Sequence, residues 1–369
     1  MSITATAPGR ICLFGEHQDY LGFPVIAAAI DRTIVIHGEA MEPPRAEVDL
    51  PDVGGREEFD LPPDRYDHAR DYLRSSAGVL GRRGLLGMRG VRAVVRGNIP
   101  IQSGTSSSSA LVVAWIGFLL AAAGHTEHAR LLDPGMVAEL AYTAEVIEFN
   151  ESGGRMDHYA SACGGVIFLE MTPRLQWESL PSQLGEFVLG DSRQPKDTLK
   201  TLTRLRHGQD EGLRQLMTAA GVVDRLRLTT EHLSGNCLHA VSREWRDYAQ
   251  AAVENHWITR QARTLLKEPN PDIQALAVLM NRLQGVLRDK LRVSTPRLNA
   301  MIDASLESGA LAAKINGSGE GGCMFAWCPG KQDEVCEAIN REGGNAMAIN
   351  IGPGLRIEMP AKGVEKSKA

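Results

Sequence analysis

From Ala110 to Ala123 the chain reads ALVVAWIGFLLAAA, with no charge and no proline. A bilayer-spanning helix needs roughly 20 such residues, so this run is too short to cross a membrane. It is apolar on every face, and a helix of that kind must be wrapped by other elements. The sequence therefore predicts a buried core helix, which in turn requires a chain large enough to surround it. The 369 residues, 43% hydrophobic and 23% charged, meet that requirement. At roughly 100–200 residues per domain they suggest two domains in one body. The net charge of −5 excludes a strongly basic nucleic-acid binder as the default. It also offers no attraction to an anionic membrane, so neither nucleic acid nor membrane is expected as a partner.

The residues leading into this helix are Pro100-Ile101-Gln102-Ser103-Gly104-Thr105-Ser106-Ser107-Ser108-Ser109. Serine and glycine at a helix start leave backbone N–H groups unpaired and facing outward, and the helix dipole adds positive potential. An anion can bind there without a lysine. The hydroxyls add donors for phosphate oxygens and could ligate Mg²⁺. The plainer alternative is a serine-rich linker or an over-supplied N-cap, although a linker should not abut a helix anchored in a core. The chain carries no G-x-x-x-x-G-K-[ST] loop and no G-x-G-x-x-G opening a βαβ unit.

Three other segments carry chemistry. Arg10-Ile11-Cys12-Leu13-Phe14-Gly15-Glu16-His17-Gln18-Asp19-Tyr20 is an apolar strand ending in a turn dense with donors and acceptors. Such a turn suits a polyhydroxylated ligand, or is simply a solvated hairpin loop. Lys314-Ile315-Asn316-Gly317-Ser318-Gly319-Glu320-Gly321-Gly322-Cys323 has more glycine than one turn requires, which permits close approach to a ligand. Glu145, on an expected helix Met136–Phe149, precedes Gly153-Gly154-Arg155-Met156-Asp157. A lone helix acid is usually solvated, and Asp157 could merely cap the next helix.

Along the rest of the chain, strands are expected at 10–14, 25–30, 33–37 and 91–96, with loops over 42–66 and a helix near 66–80. Further strands fall at 166–171, 176–180 and 187–189. Helical periodicity covers 197–219, 223–232, 242–266, 272–291 and 298–308, and strands return at 312–315, 323–327, 346–351 and 355–358. Strands mixed with segregated helices predict an α+β architecture. Cys12, Cys163, Cys237, Cys323, Cys328 and Cys336 form no C-x-x-C pair, which favours a reducing compartment over a disulfide framework or zinc site. The start MSITATAPGR lacks a charged and then apolar leader, so a cytoplasmic location is expected.

Taken in order, these segments resemble the GHMP kinase superfamily in its galactokinase branch. Residues 9–20 are similar to the signature G-R-V-N-L-I-G-E-H-T-D-Y; a mevalonate kinase would follow G-E-H with a small or apolar run and lack Asp-Tyr. Residues 100–108 resemble the phosphate loop P-x-G-x-G-L-S-S-S, with Gln102 in place of the first glycine and Thr105 in place of leucine. Residues 314–323 resemble K-x-T-G-x-G-x-G-G-C, with departures at Asn316 and Glu320. Met280-Asn281, Leu287-Arg288-Asp289 and Val293-Ser294-Thr295-Pro296 resemble the helical stretch L-M-N…S-L-R-D…V-S-x-P. Residues 190–198 do not resemble galactokinase's tyrosine-bearing segment; they are closer to the D-[ST]-G-x-x-x-x-T stretch of other members. On the adenine side, Arg70-Asp71-Tyr72-Leu73 is only weakly similar to W-x-N-Y-V.

The resemblance implies an α+β, two-domain GHMP kinase-like fold. Residues 1–183 would form a mixed α/β N-terminal domain with a left-handed βαβ-type unit. Residues 184–369 would form an α+β, ferredoxin-like C-terminal domain. It implies ATP- and Mg²⁺-dependent phosphorylation of a monosaccharide's anomeric hydroxyl by a monomer or weak homodimer. Gln102, Ser103, Gly104, Thr105, Ser106, Ser107 and Ser108, with Gly317 and Gly319, would hold the nucleotide, and Ser108 and Glu145 the metal. Asp157 would take the hydroxyl proton, with Arg10 beside it either to keep it ionised and offset transition-state charge or purely as a salt-bridge partner holding Asp157 in position. Arg10, Glu16, His17, Asp19, Gly154 and Asp157 would meet the sugar. Arabinose, a uronic acid or an amino sugar stay open as acceptors, with Arg155 or Arg193 as a cation for a uronate. A non-catalytic sugar sensor on the same fold also stays open.

Overall fold

The computed structural model describes residues 2–100, 104–125, 133–181 and 183–359. Its first sheet is built on two long antiparallel strands, β1 (Ser2–Phe14) and β2 (Val25–Met41). Across from them stand β3 (Arg45–Leu50), β4 (Gly55–Asp60) and β5 (Gly90–Gly97). With β12 (Arg356–Glu358) on the far side of β1, the order is β12-β1-β2-β5-β3-β4. The opening residues of β2 also pair with β6 (Val166–Glu170), and β6 with β7 (Gln176–Leu180). The pair β3–β5 is parallel and is connected through β4 and α1 (Tyr72–Arg82).

The inner strands have apolar neighbours on both faces. Cys12, Val25 and Ala27 belong to one core, and Ile11, Leu13, Ile26 and Ala28 to another. The first core is closed by α1, α2 (Ser107–Ala122), α3 (Pro134–Tyr142) and α4 (Met156–Cys163). The apolar run becomes α2, buried along most of its length, with its Trp115 indole N–H donating to Leu73 O at 3.0 Å. Among the described residues no helix is long and apolar enough to cross a membrane.

The second core lies between the opposite face and a four-stranded antiparallel sheet. That sheet comprises β8 (Phe187–Asp191), β9 (Ala312–Ile315), β10 (Cys323–Trp327) and β11 (Asn345–Ile349), in the order β11-β8-β10-β9. With α9 (Pro296–Glu307) leading into β9 and α10 (Gln332–Arg341) joining β10 to β11, this is the βαββαβ order of a ferredoxin-like domain, as expected. Between β8 and α9 the chain inserts α5 (Thr198–Ala220), α6 (Gly235–Ala240), α7 (Arg246–Leu266) and α8 (Ile273–Gly285). The last strand, β12, returns to the first sheet and pairs with β1.

Several expectations are corrected. Residues 42–66 are not all loop: Ala46 and Val48 alternate with charged residues, and β3 pairs with β4 as a hairpin. The expected helix over 223–232 is two short 3-10 turns, Arg225–Arg227 and Thr230–Leu233, interrupted where the side chains of Asp224 and Thr229 cap the backbone. α10 was not anticipated. The helix expected through Glu145 is α3 followed by a π turn, Thr143–Ile147.

Candidate active site

The two halves enclose a cleft of about 890 Å³. One wall is the start of α2. Ser106 caps that helix in the left-handed region (φ 60°), and Ser107, Ser108 and Ser109 form its first turn and line the cleft. Gly104, just before it, also has φ of 92°. A Cβ there would lie 2.7 Å from both Asn316 O and Lys196 Nζ, so only glycine lets the third segment and that ammonium close on this loop. Thr105 is buried, and its carbonyl accepts from Arg10 N at 3.2 Å. Gln102 and Ser103 lie outside the described residues.

Asp157 stands in the first turn of α4, where the helix N-terminus favours a negative charge. Arg10, buried on β1, reaches its Oδ1 with both Nε and Nη2 at 2.8 Å. The Ser106 hydroxyl donates to Oδ2 at 2.6 Å, so it faces the acid rather than outward. Burial pushes the Asp157 carboxyl up, but Arg10 and Ser106 outweigh this and hold it below its ordinary value. Arg10 also donates to Gly104 O, which joins the acid to the serine loop.

Beside it is the turn after β1. Asp19 accepts from Tyr20 N at 2.9 Å and from Met156 N, in the first turn of α4, at 3.3 Å. Burial, and then the charge of Asp157, push its carboxyl up. The two acids are thus driven in opposite directions, the pattern that separates a base from a binding group. Gly154 permits this proximity, since a Cβ there would fall 1.8 Å from Asp19 Oδ2. Glu16 and His17 are buried and also line the cleft. Burial drives His17 down to about 3, so its ring is neutral. The turn's backbone is held by the second half: Asn255 Nδ2 donates to Glu16 O at 2.8 Å, and Gln209 Nε2 to His17 O at 3.0 Å.

Glu145 sits in the π turn, nearly buried, with one carboxylate oxygen on His158 Nε2 at 2.8 Å. Among the described residues no three acids, histidines or cysteines group as a metal cage. Of the third segment, Gly317 lines the cleft and rests against Gly104 O, whereas Gly319 packs on Val293 O. An apolar part of the cleft is lined by Ile34, Leu50, Val95, Ile99 and Leu111, near Tyr72 and Arg70.

Some residues carry more weight than the sequence suggested. Arg155 does not line the cleft: it is paired with Glu139 at 2.9 Å and stacked over Tyr142. Arg193 does not line it either. Lys196 does line it, alongside Arg10, Arg70 and Arg96, and burial and then Arg10 push its ammonium down to about 8. Asn316 ties three parts together, accepting from Cys12 N at 2.9 Å and donating to Gly104 O at 3.0 Å and Arg10 O at 3.4 Å.

The chain matches the family models described as GHMP kinases N terminal domain (residues 69–165) and GHMP kinases C terminal (residues 262–345). Residues 2–39 match the galactokinase galactose-binding signature. It is 30% identical to the mevalonate kinase of Thermococcus sibiricus, covering 97% of this chain and 99% of that protein. It is also 30% identical to the galactokinase of Thermococcus kodakarensis, covering 87% of each. Among solved structures, Lactococcus lactis galactokinase complexed with galactose superposes with a TM-score of 0.82 at 21% identity, covering 96% of this chain and 95% of that one. Methanococcus jannaschii mevalonate kinase gives 0.68 at 17%, covering 95% and 98%. The chain belongs to the GHMP kinase family and is a kinase. The galactokinase signature lies on the turn that carries Glu16, His17 and Asp19.

Proposed function

We propose that this kinase transfers a phosphoryl group from ATP, with Mg²⁺, to the anomeric hydroxyl of a neutral monosaccharide, galactose or a close relative. The observation that carries this reading is the placement of Asp157, held by Arg10 and Ser106, beside a turn that offers Glu16, His17 and Asp19 to one end of the cleft. Phosphoryl transfer asks a protein for alignment, charge neutralisation and a proton acceptor. Asp157, kept ionised, takes the proton of the attacking hydroxyl. Arg10 holds the carboxylate and offsets charge as it develops. The N–H groups at the start of α2 face the phosphates, and the apolar part of the cleft suits a flat base. The oxygen donors Ser108 and Glu145 fit Mg²⁺, which takes few protein ligands and most of its shell from phosphate and water. When bound, the ion supplies neutralisation of phosphate charge.

Mevalonate is the acceptor named for several relatives. The acceptor end here carries Glu16 and Asp19, two carboxylates that oppose an anionic acceptor and suit hydroxyl groups. A mispositioned hydroxyl would leave a buried acceptor unpaired, so such a turn can discriminate between epimers. The test is ATP consumption over a panel of monosaccharides and mevalonate, with the phosphorylated position read by NMR. A sugar 1-phosphate is expected. Phosphomevalonate as the sole product overturns the sugar reading, and binding of both ligands without product favours a sensor.

A further inference from the structure

Lys314 is fully buried, and its ammonium has three acceptors: Cys12 O at 3.0 Å, Ile315 O at 2.9 Å and the Glu16 carboxylate through Oε1. The aromatic ring of Phe325 lies 5.0 Å from it. All three donors of the ammonium are thereby engaged. The pair runs from β9 of the second sheet to the turn that follows β1 of the first. The other Glu16 oxygen, Oε2, is buried without a partner among the described residues, while Glu16 itself lines the cleft.

We infer that Lys314 is a positioning residue for the acceptor. It fixes the Glu16 carboxylate so that Oε1 stays on the ammonium and Oε2 is presented to an acceptor hydroxyl. This inference rests on the reading of the Glu16–Asp19 turn as the acceptor end of the cleft. A buried ion pair is a weak source of stability, and an apolar pair of similar volume often does as well or better. A purely structural pair would also be expected to satisfy both carboxylate oxygens, because an unpaired buried acceptor is destabilising. Here one oxygen is saturated from behind, and the other is buried with no partner among the described residues, in a side chain that lines the cleft. A carboxylate only accepts, so the group that completes it must donate, as a hydroxyl does. Loss of Lys314 would leave Glu16 a buried charge with no fixed direction.

The test is a double-mutant cycle on full-length protein, using whichever acceptor the wild type phosphorylates. In Lys314→Met the acceptor KM is expected to rise at least about 10-fold, with kcat and the KM for ATP changing less than about 3-fold. Glu16→Gln should raise the acceptor KM similarly, and Glu16→Gln with Lys314→Met should be no worse than Glu16→Gln alone. Loss of kcat at unchanged acceptor KM, or effects that multiply in the double variant, overturns the inference. Should Lys314→Met fail to fold, Glu16→Gln with Lys314→Gln takes its place. An acceptor KM equal to that of Glu16→Gln then supports the inference, and a higher one overturns it. A non-sugar acceptor in the panel overturns the proposed function while leaving this cycle intact, so the two can fail separately.

Discussion

At the scale of single residues the site turns on a pair of acids pushed apart. Asp157 is held down by Arg10 and Ser106 against its burial, while Asp19 is pushed up by burial and by Asp157. A depressed carboxyl stays ionised as pH falls, so kcat should remain flat through the neutral range and drop only below the ordinary carboxylate value. Asp157→Asn should cut kcat by about 10²–10⁴-fold, with acceptor binding by calorimetry retained. Unchanged turnover removes Asp157 from the role of base. Gly154→Ala places a methyl group inside the Asp19 carboxylate's space. Its acceptor KM should rise on the order of 10-fold or more, since small misplacements at a reacting centre are costly, and an unchanged KM would separate Asp19 from the acceptor. Arg10, Glu16 and Asp157 could be read from the sequence because they fall inside recognisable strings. Lys196 could not, and Lys314, though it opens the third glycine-bearing string, carried no sign of its contact with Glu16. One sits in the segment least like the galactokinase pattern, and the other stands beside glycines that drew attention to themselves.

At the scale of elements, the π turn at Thr143–Ile147 carries Glu145 into the cleft wall, with the Glu148 N–H reaching back to Thr143 O. The sequence reads there as continuous helix, and a single wide turn leaves no compositional mark. Glu145→Ala should raise the Mg²⁺ concentration needed for half-maximal activity several-fold; an unchanged titration places the metal elsewhere. In the second sheet the edge strand β9 is covered by side chains of α8. Asn281 accepts from Ala313 N at 3.1 Å and donates to Leu311 O at 3.0 Å, and Gln284 accepts from Ile315 N at 3.0 Å. Asn281→Leu leaves two backbone groups unpaired and should cost about 1–3 kcal/mol by urea unfolding. The stretch around Met280-Asn281 was legible as part of a motif, but its work as an edge cover was not.

At the scale of the molecule, buried neutral histidines set the acid limit. Burial lowers His17 to about 3 and His256 to about 4, against 6.5 for the free side chain. The unfolded chain therefore binds protons first as pH falls below about 6.5, and stability declines from there through the folded values. Asp157 adds stability above its unfolded value, lost as pH falls further. The urea midpoint should thus begin to drop near pH 6.5 rather than pH 4, and a midpoint flat to pH 4.5 would contradict the burial of both rings. β1 and β2 contribute to both cores, so the two halves are bound through one sheet, and the turn at Glu16 is braced by α5 and α7 from across the cleft.

The buried helix, its serine-lined start and the acid-rich turn were readable from residue order alone. Each depends on local chemistry, namely apolar runs, unpaired N–H groups and side chains packed within a few positions. What only the tertiary structure decided is how these strings meet. Lys314 lies 298 positions from Glu16, and Asn316 lies 304 from Cys12. Contacts of that separation are set by strand register and by the packing of two sheets on a shared face, which no local pattern encodes.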